Sequence, residues 1–159
     1  MVARTPDYAA VVQAPCGHLG IVVAADALSR IDLLRYGRRA YITESLLVRE
    51  ICRQLDTYFV NAHHTFHLPL ALDGTPFQHR VWHALRQIPP GHVRRYAELA
   101  RELGTGARAI GGACRRNPIP IVVPCHRVVA SAGLGGYMGE QSGAALRMKQ
   151  WLVSHERRG

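Results

Sequence analysis

Residues 117–129 constrain this chain more than any other stretch. They read Asn117-Pro118-Ile119-Pro120-Ile121-Val122-Val123-Pro124-Cys125-His126-Arg127-Val128-Val129. Proline fixes φ and lacks an N–H, so Pro118, Pro120 and Pro124 are expected to hold the run as a stiff extended loop. That loop delivers one cysteine, followed at once by a histidine and an arginine. The thiolate is the nucleophilic form, and a free cysteine titrates near roughly 8.5. His126 and Arg127 offer proton-accepting, cationic surroundings that would raise the thiolate fraction of Cys125. The competing reading is an apolar run in which Cys125 is a small buried hydrophobe.

At 159 residues and 48% hydrophobic, the chain can bury a real core, as one ordinary domain or two small ones sharing an interface. No apolar run approaches the roughly 20 residues that span a bilayer. Residues 1–7 lack the basic and apolar regions of a signal peptide. Four cysteines, Cys16, Cys52, Cys114 and Cys125, do not make a disulfide framework in a chain this long. A reducing, cytoplasmic compartment is expected. The charge is segregated. Residues 1–73 hold seven arginines and seven acids, a net of zero. Residues 74–159 hold twelve arginines and one lysine against four acids, so the whole excess of +9 lies there. A basic half beside a neutral half is the footprint of a polyanion-binding surface, with an anionic membrane or a merely solvated face as alternatives.

Taken in order, apolar runs at 8–14 and 19–25 flank Pro15-Cys16-Gly17-His18 and read as a hairpin, with 29–34 a third strand. From Thr43, a good N-cap, Leu47, Ile51, Leu55 and Tyr58 recur at helical spacing as far as Val60 and Asn61. Residues 66–72 return as a short strand broken by Pro69. Cys16, His18, Cys52, His63, His64 and His67 match no zinc spacing, so no metal is expected. Asp73-Gly74-Thr75-Pro76 is a turn and the natural boundary between domains at 1–73 and 74–159. Thr75 and Gln78 form a capping box with Pro76 at the first helical position. Phe77, Val81, Leu85 and Ile88 make the buried stripe of a helix stopped by Pro89-Pro90-Gly91.

Two short helices follow, at 96–103 and 107–116, joined by Gly104-Thr105-Gly106 in a helix-turn-helix pattern. The second carries Gly111 and Gly112 in its interior, each costing about 1 kcal/mol relative to alanine. Arg108, Gly112 and Arg115 share one face. A glycine-lined face flanked by arginines lets a helix backbone approach an anionic ligand closely; tight helix–helix packing is the alternative use of such glycines. Arg108 is the one base-reading candidate at the front of this helix, so little sequence preference is expected. The glycines of 131–136 have no following Lys-Ser/Thr and are not a phosphate loop. Ala144, Met148, Trp151, Leu152 and His155 form a last helical stripe ending at Glu156.

Pro124-Cys125-His126-Arg127, with Arg108-Ala109-Ile110-Gly111-Gly112 and Asn117-Pro118 before it, closely resembles the O6-alkylguanine-DNA alkyltransferases of bacterial type. The likeness runs from about Thr75 to Glu156. It implies an α/β protein with a small ribonuclease-H-like sheet-plus-helix domain at 1–73. A mainly helical DNA-binding alkyltransferase domain with a helix-turn-helix would occupy 74–159. The resemblance also implies one irreversible transfer, in which an alkyl group leaves O6 of guanine (or O4 of thymine) for Cys125 after the base is flipped out. His126 would be a water-mediated base oriented by Glu156, and Asn117 would brace the loop. Tyr96 would donate to N3 of the leaving guanine, and Arg108 would fill the gap left by the flipped base. The DNA surface would comprise Thr105, Ala107, Arg108, Gly112 and Arg115. Tyr137, Pro120, Val128 and Met138 would form the pocket. The carbonyls of Cys125 and Val128 would read the exocyclic amine, and the Met138 N–H would face O6.

The chemistry agrees with the residues. An alkyl carbon on a stacked base is unreachable, so the base must be extruded at a cost of a few kcal/mol. DNA is itself the donor, so no cofactor is expected. The partner would be double-stranded DNA containing O6-alkylguanine, met by a monomer with neither a membrane nor an obligate protein partner. Residues 139–145 exceed the family's usual length at the mouth of the pocket. Two other functions compete. A DNA-binding module without transfer would carry another residue in place of Cys125. A cysteine hydrolase built on Cys125, His126 and Glu156 would leave the basic half without a purpose.

Overall fold

The computed structural model describes residues 7–15, 17–34 and 39–159. Cys16, in the expected hairpin turn, lies outside the described residues. Strands β1 (Ala10–Ala14), β2 (Gly17–Ala24) and β3 (Ala27–Leu34) form an antiparallel meander, and β4 (Tyr41–Ile42) pairs with the free side of β1. The sheet order is therefore β3-β2-β1-β4. Ala25 and Asp26 both take positive φ at the β2–β3 turn, as a two-residue hairpin of right-handed twist requires. Gly20 lies under the Tyr8 ring, where a Cβ would come within 2.4 Å of it.

Helix α1 (Leu46–Val60) lays Val48, Ile51, Leu55 and Tyr58 into the core. Its cap is Ser45, whose hydroxyl accepts from the Val48 N–H, and not Thr43 as expected. Thr43 is drawn into the sheet instead, its N–H donating to the Ala9 carbonyl at 3.1 Å. The strand expected at 66–72 shrinks to a single parallel bridge between Leu70 and Leu28. Pro69 can accept there, from the Leu28 N–H at 2.9 Å, but it has no N–H to extend the ladder.

Helix α2 (Pro76–Arg86) starts from the Thr75–Gln78 capping box, with both reciprocal bonds present. Helices α3 (Tyr96–Leu103) and α4 (Ala107–Arg115) follow, α3 closed by Gly104 in the left-handed region. The Trp82 indole N–H donates to the Ala113 carbonyl at 2.9 Å and ties α4 to α2. Strands β5 (Arg94–Arg95) and β6 (Val128–Val129) form a parallel pair, and α5 (Ala144–Arg158) ends the chain. The fold is thus mixed α/β, with an antiparallel sheet and, among the described residues, five helices.

One apolar core runs from Leu19, Ile21 and Ile31 through Leu55 and Tyr58 to Leu85, Ile110, Val123 and Leu152. The Ile31 N–H donates to the Pro118 carbonyl at 3.0 Å, so the sheet edge holds the start of the proline-rich stretch. That stretch is not extended. The Val123 N–H bonds back to the Ile119 carbonyl at 2.9 Å, Ile121 sits at φ +75°, and Cys125–Arg127 make one turn of 3₁₀ helix. Asn117 folds it, donating from Nδ2 to the Val123 carbonyl at 2.8 Å and accepting the Ile119 N–H at 3.0 Å. Among the described residues no helix is long and apolar enough to cross a membrane, and no three His, Cys, Asp or Glu side chains gather as a metal site would need.

Candidate active site

Cys125 opens its 3₁₀ turn in the wall of a cleft of about 630 Å³. Helices α3 and α4 form one side of that cleft, through Tyr96, Arg108, Gly111, Gly112, Cys114 and Arg115. The loop after β6 forms the other, through Tyr137, Met138 and Gly139. The sulfur is almost wholly buried, and burial pushes its thiol up to about 11. Hydrogen bonds from Asn117 and Tyr137 and the charge of Lys149 pull against that rise.

The expectation that His126 and Arg127 raise the thiolate fraction of Cys125 is therefore corrected. Both side chains turn away to Glu156. His126 Nε2 lies 2.7 Å from Glu156 Oε1. Arg127 grips the carboxylate with two prongs, Nε to Oε2 at 3.0 Å and Nη2 to Oε1 at 2.8 Å, while Nη1 donates to the Ile88 carbonyl at 2.6 Å. The Tyr58 hydroxyl also donates to Oε1, at 2.8 Å. Burial favours a protonated Glu156, but His126 and Arg127 outweigh it and hold the carboxyl well below its usual range. Burial also pushes the fully buried His126 imidazole down, against the pull of Glu156. A neutral imidazole that donates from Nε2 has an accepting Nδ1. That Nδ1 is buried with no partner among the described residues.

Lys149 is a functional candidate that the sequence reading passed over. It is the one lysine in the chain and it is fully buried. Its three donors go to the carbonyls of Val128 and Leu134, both at 2.7 Å, and of Gly136 at 2.9 Å. It therefore staples the cysteine turn to the glycine-rich loop. Burial draws its ammonium down to about 8, and the nearby thiols Cys125 and Cys114 oppose the shift. Two signals were available: its uniqueness, and its position between Met148 and Leu152 on the buried stripe of α5.

The other predicted residues fall into two groups. Tyr96 lines the cleft, and burial pushes its phenol up, so it stays protonated. Ala107, Arg108, Gly112 and Arg115 lie along the open side of α4 and also line the cleft. A Cβ at Gly111 or Gly112 would meet nothing within 4 Å, so helix packing does not demand these glycines. Arg115 leans on Gly139, where a Cβ would come within 3.1 Å of its Nε. Thr105, Pro120 and Val128 do not line the cleft. Thr105 closes α3 by donating to the Ala100 carbonyl at 2.9 Å, and Pro120 and Val128 are buried behind the cleft. The Val128 carbonyl already accepts from Lys149, which leaves its second lone pair. Met138 lines the cleft at φ +51°.

Comparisons with known proteins agree in direction. The family model described as "6-O-methylguanine DNA methyltransferase, DNA binding domain" matches residues 76–158. The methylated-DNA--protein-cysteine methyltransferase of Methanosarcina acetivorans is 35% identical over 157 residues, covering 94% of this chain and 97% of that one. The constitutive enzyme of that name from Bacillus subtilis is 36% identical over 162 residues, covering 95% and 96%. Among solved structures, the O6-methylguanine methyltransferase of Mycobacterium tuberculosis superposes with a TM-score of 0.79 at 34% identity, over 93% of this chain and 91% of that one. The crystal structure of Mycobacterium tuberculosis OGT in complex with DNA gives 0.77 at 36% identity, with the same coverage. Similarity of this kind along nearly the whole length means that the chain belongs to the methylated-DNA--protein-cysteine methyltransferase family.

Proposed function

We propose that this chain repairs DNA by moving the alkyl group of O6-alkylguanine, or O4-alkylthymine, onto Cys125 in one irreversible turnover. The observation that carries the reading is a buried thiol at a cleft walled by a glycine-lined, arginine-flanked helix, with an imidazole–carboxylate pair behind it. Residues 74–159 act as the DNA-binding alkyltransferase domain and 1–73 as a small ribonuclease-H-like domain. Helices α3 and α4 serve as a helix-turn-helix. Thr105, Ala107, Gly112 and Arg115 approach the phosphates, and Arg108 takes the place of the extruded base. The flipped base enters between Tyr96 and the loop of Tyr137 and Met138, over Pro120 and Val128.

The step balances in protons and electrons. The Cys125 thiol gives its proton toward His126 Nδ1, and the sulfur attacks the alkyl carbon. The C–O6 bond breaks with its electron pair passing to guanine. Tyr96, protonated at neutral pH, donates to N3 as guanine leaves, so guanine takes up one proton in place of its alkyl group, and the proton that the thiol left on His126 balances the one guanine gains. Lys149 faces the negative charge that forms on sulfur, and Glu156 faces the positive charge that forms on His126. Low dielectric makes both interactions larger than they would be in water. The product thioether has no leaving group that water can displace, which accounts for a single turnover. No cofactor takes part, and the protein works as a cytoplasmic monomer on duplex DNA.

Intact-protein mass after incubation with a duplex holding one O6-methylguanine tests the proposal. One methyl per molecule, mapped to Cys125 and absent in Cys125→Ser, is the expected result. Unchanged mass with retained duplex binding would transfer the reading to a DNA-binding module without chemistry.

A further inference from the structure

Tyr58 stands on α1, in the half of the chain to which no chemistry has been assigned. Its ring is fully buried, edge-on to Phe59 and His155 and tilted against Phe66. Ring packing of this kind needs no hydroxyl. The hydroxyl nevertheless crosses to α5 and donates to Glu156 Oε1 at 2.8 Å, the same oxygen that meets His126 Nε2 at 2.7 Å. The Tyr58 carbonyl also meets His155 Nε2, at 2.7 Å. One residue of α1 thus holds two consecutive residues of α5, and the second of them is the carboxylate behind the imidazole.

We propose that Tyr58 is a positioning residue for alkyl transfer: its hydroxyl fixes the Glu156 carboxylate against His126 and sets how strongly that carboxylate draws on the imidazole. The inference rests on the reading of Cys125, His126 and Glu156 given above. Arg127 holds both carboxylate oxygens and the Gly91 N–H reaches Oε2 at a long 3.5 Å, yet a planar fork with one weak contact on Oε2 leaves Oε1 free to tip about the fork's own plane. A third donor on Oε1, arriving from another element, removes that freedom. It also spreads the negative charge without adding a positive one. A carboxylate that already accepts a phenolic hydrogen bond is a weaker partner for an imidazolium.

The direction of the effect follows. The titratable and charged groups around His126 are Glu156 and Lys149 of α5, Arg127 and Cys125 of its own turn, and Tyr58 of α1 through the carboxylate. Loss of the hydroxyl strengthens the Glu156–His126 attraction, raises the imidazole pKa and leaves less neutral base at a given pH. The acidic limb of the transfer rate then moves to higher pH. A residue that only packed would leave that limb in place.

Single-turnover transfer from an O6-methylguanine duplex, followed across pH, tests this with Tyr58→Phe, Glu156→Gln and wild type. Phenylalanine keeps the ring. Tyr58→Phe is expected to bind the duplex with unchanged affinity, to transfer about tenfold more slowly, and to shift the acidic limb upward. Tenfold is a fraction of what a general base contributes in full. A ring-fluorinated tyrosine at position 58, a stronger donor of the same shape, is expected to shift the limb downward, and it covers the case in which Tyr58→Phe folds poorly. Wild-type rate and limb in the phenylalanine or fluorinated protein, with Glu156→Gln slow, would overturn the role of Tyr58 alone. A wild-type rate in Glu156→Gln would remove the role of Glu156 and, with it, that of Tyr58.

Discussion

Cys125 rests as a thiol because burial outweighs every group that favours its charge. In the proposed reaction the nucleophile is thus made when it is needed, by His126, rather than stored. The same burial has a thermodynamic signature. The folded thiol titrates near 11, above the unfolded value near 9, so the folded state keeps a proton that the unfolded state loses between those values. Stability supported by the neutral thiol is whole below about pH 9 and drains as pH rises toward 11. Cys125→Ala removes that drain. The stability of the variant relative to wild type is expected to improve by about 2 kcal/mol between pH 7 and about pH 10.5, as chemical denaturation at both pH values would report. A constant difference would mean that the thiol titrates in the folded protein as it does in the unfolded chain, solvated rather than buried.

At the scale of the element, α4 carries two glycines for which no packing reason exists. Glycine in a helix interior costs about 1 kcal/mol against alanine. Gly112 is exposed and does not sit at positive φ, so alanine fits its backbone and finds open space for its methyl. Gly112→Ala is therefore expected to raise Tm by about 2–4 °C while weakening duplex binding and slowing transfer. Calorimetry and a duplex-binding titration on the same preparation separate the two effects. A variant that gained stability and bound DNA as well as wild type would end the idea that this backbone approaches phosphate.

At the scale of the whole molecule, the two halves divide electrostatic work. The half from residue 74 onward carries all nine units of excess positive charge, including exposed arginines at 95, 101, 108, 115 and 116. Duplex affinity should fall linearly with the logarithm of salt concentration, with a slope of about −0.9 for each phosphate neutralised. Fluorescence anisotropy across a salt series measures it, and a flat response would count against the basic surface. The neutral half contributes by contact rather than by charge. It supplies the Ile31 bond to Pro118 and the Tyr58 bond to Glu156, and through them it supports the cysteine turn.

Much of this was legible before folding. The Thr75–Gln78 box, the Tyr96–Leu103 helix with its Gly104 stop, and the charge asymmetry are local or additive properties, carried by adjacent residues or by simple sums. The candidate cysteine, Cys125, was legible too, because three prolines and a Cys-His-Arg sequence are adjacent in the chain. Partners distant in sequence were not legible. Ser45 displaced Thr43 as a cap because the Thr43 N–H was claimed by the Ala9 carbonyl just before β1, and 66–72 failed as a strand because its one bridge was to β3. His126 and Arg127 adjoin Cys125 along the chain, yet folding turns both toward a carboxylate thirty and twenty-nine residues away. The ionisation state of the sulfur, the clamp made by Lys149 and the reach of Tyr58 across 98 residues to Glu156 depend on desolvation and on which elements meet. Residue order by itself determined which groups are candidates for the chemistry; only burial and packing decided which of them face each other and which protons they hold.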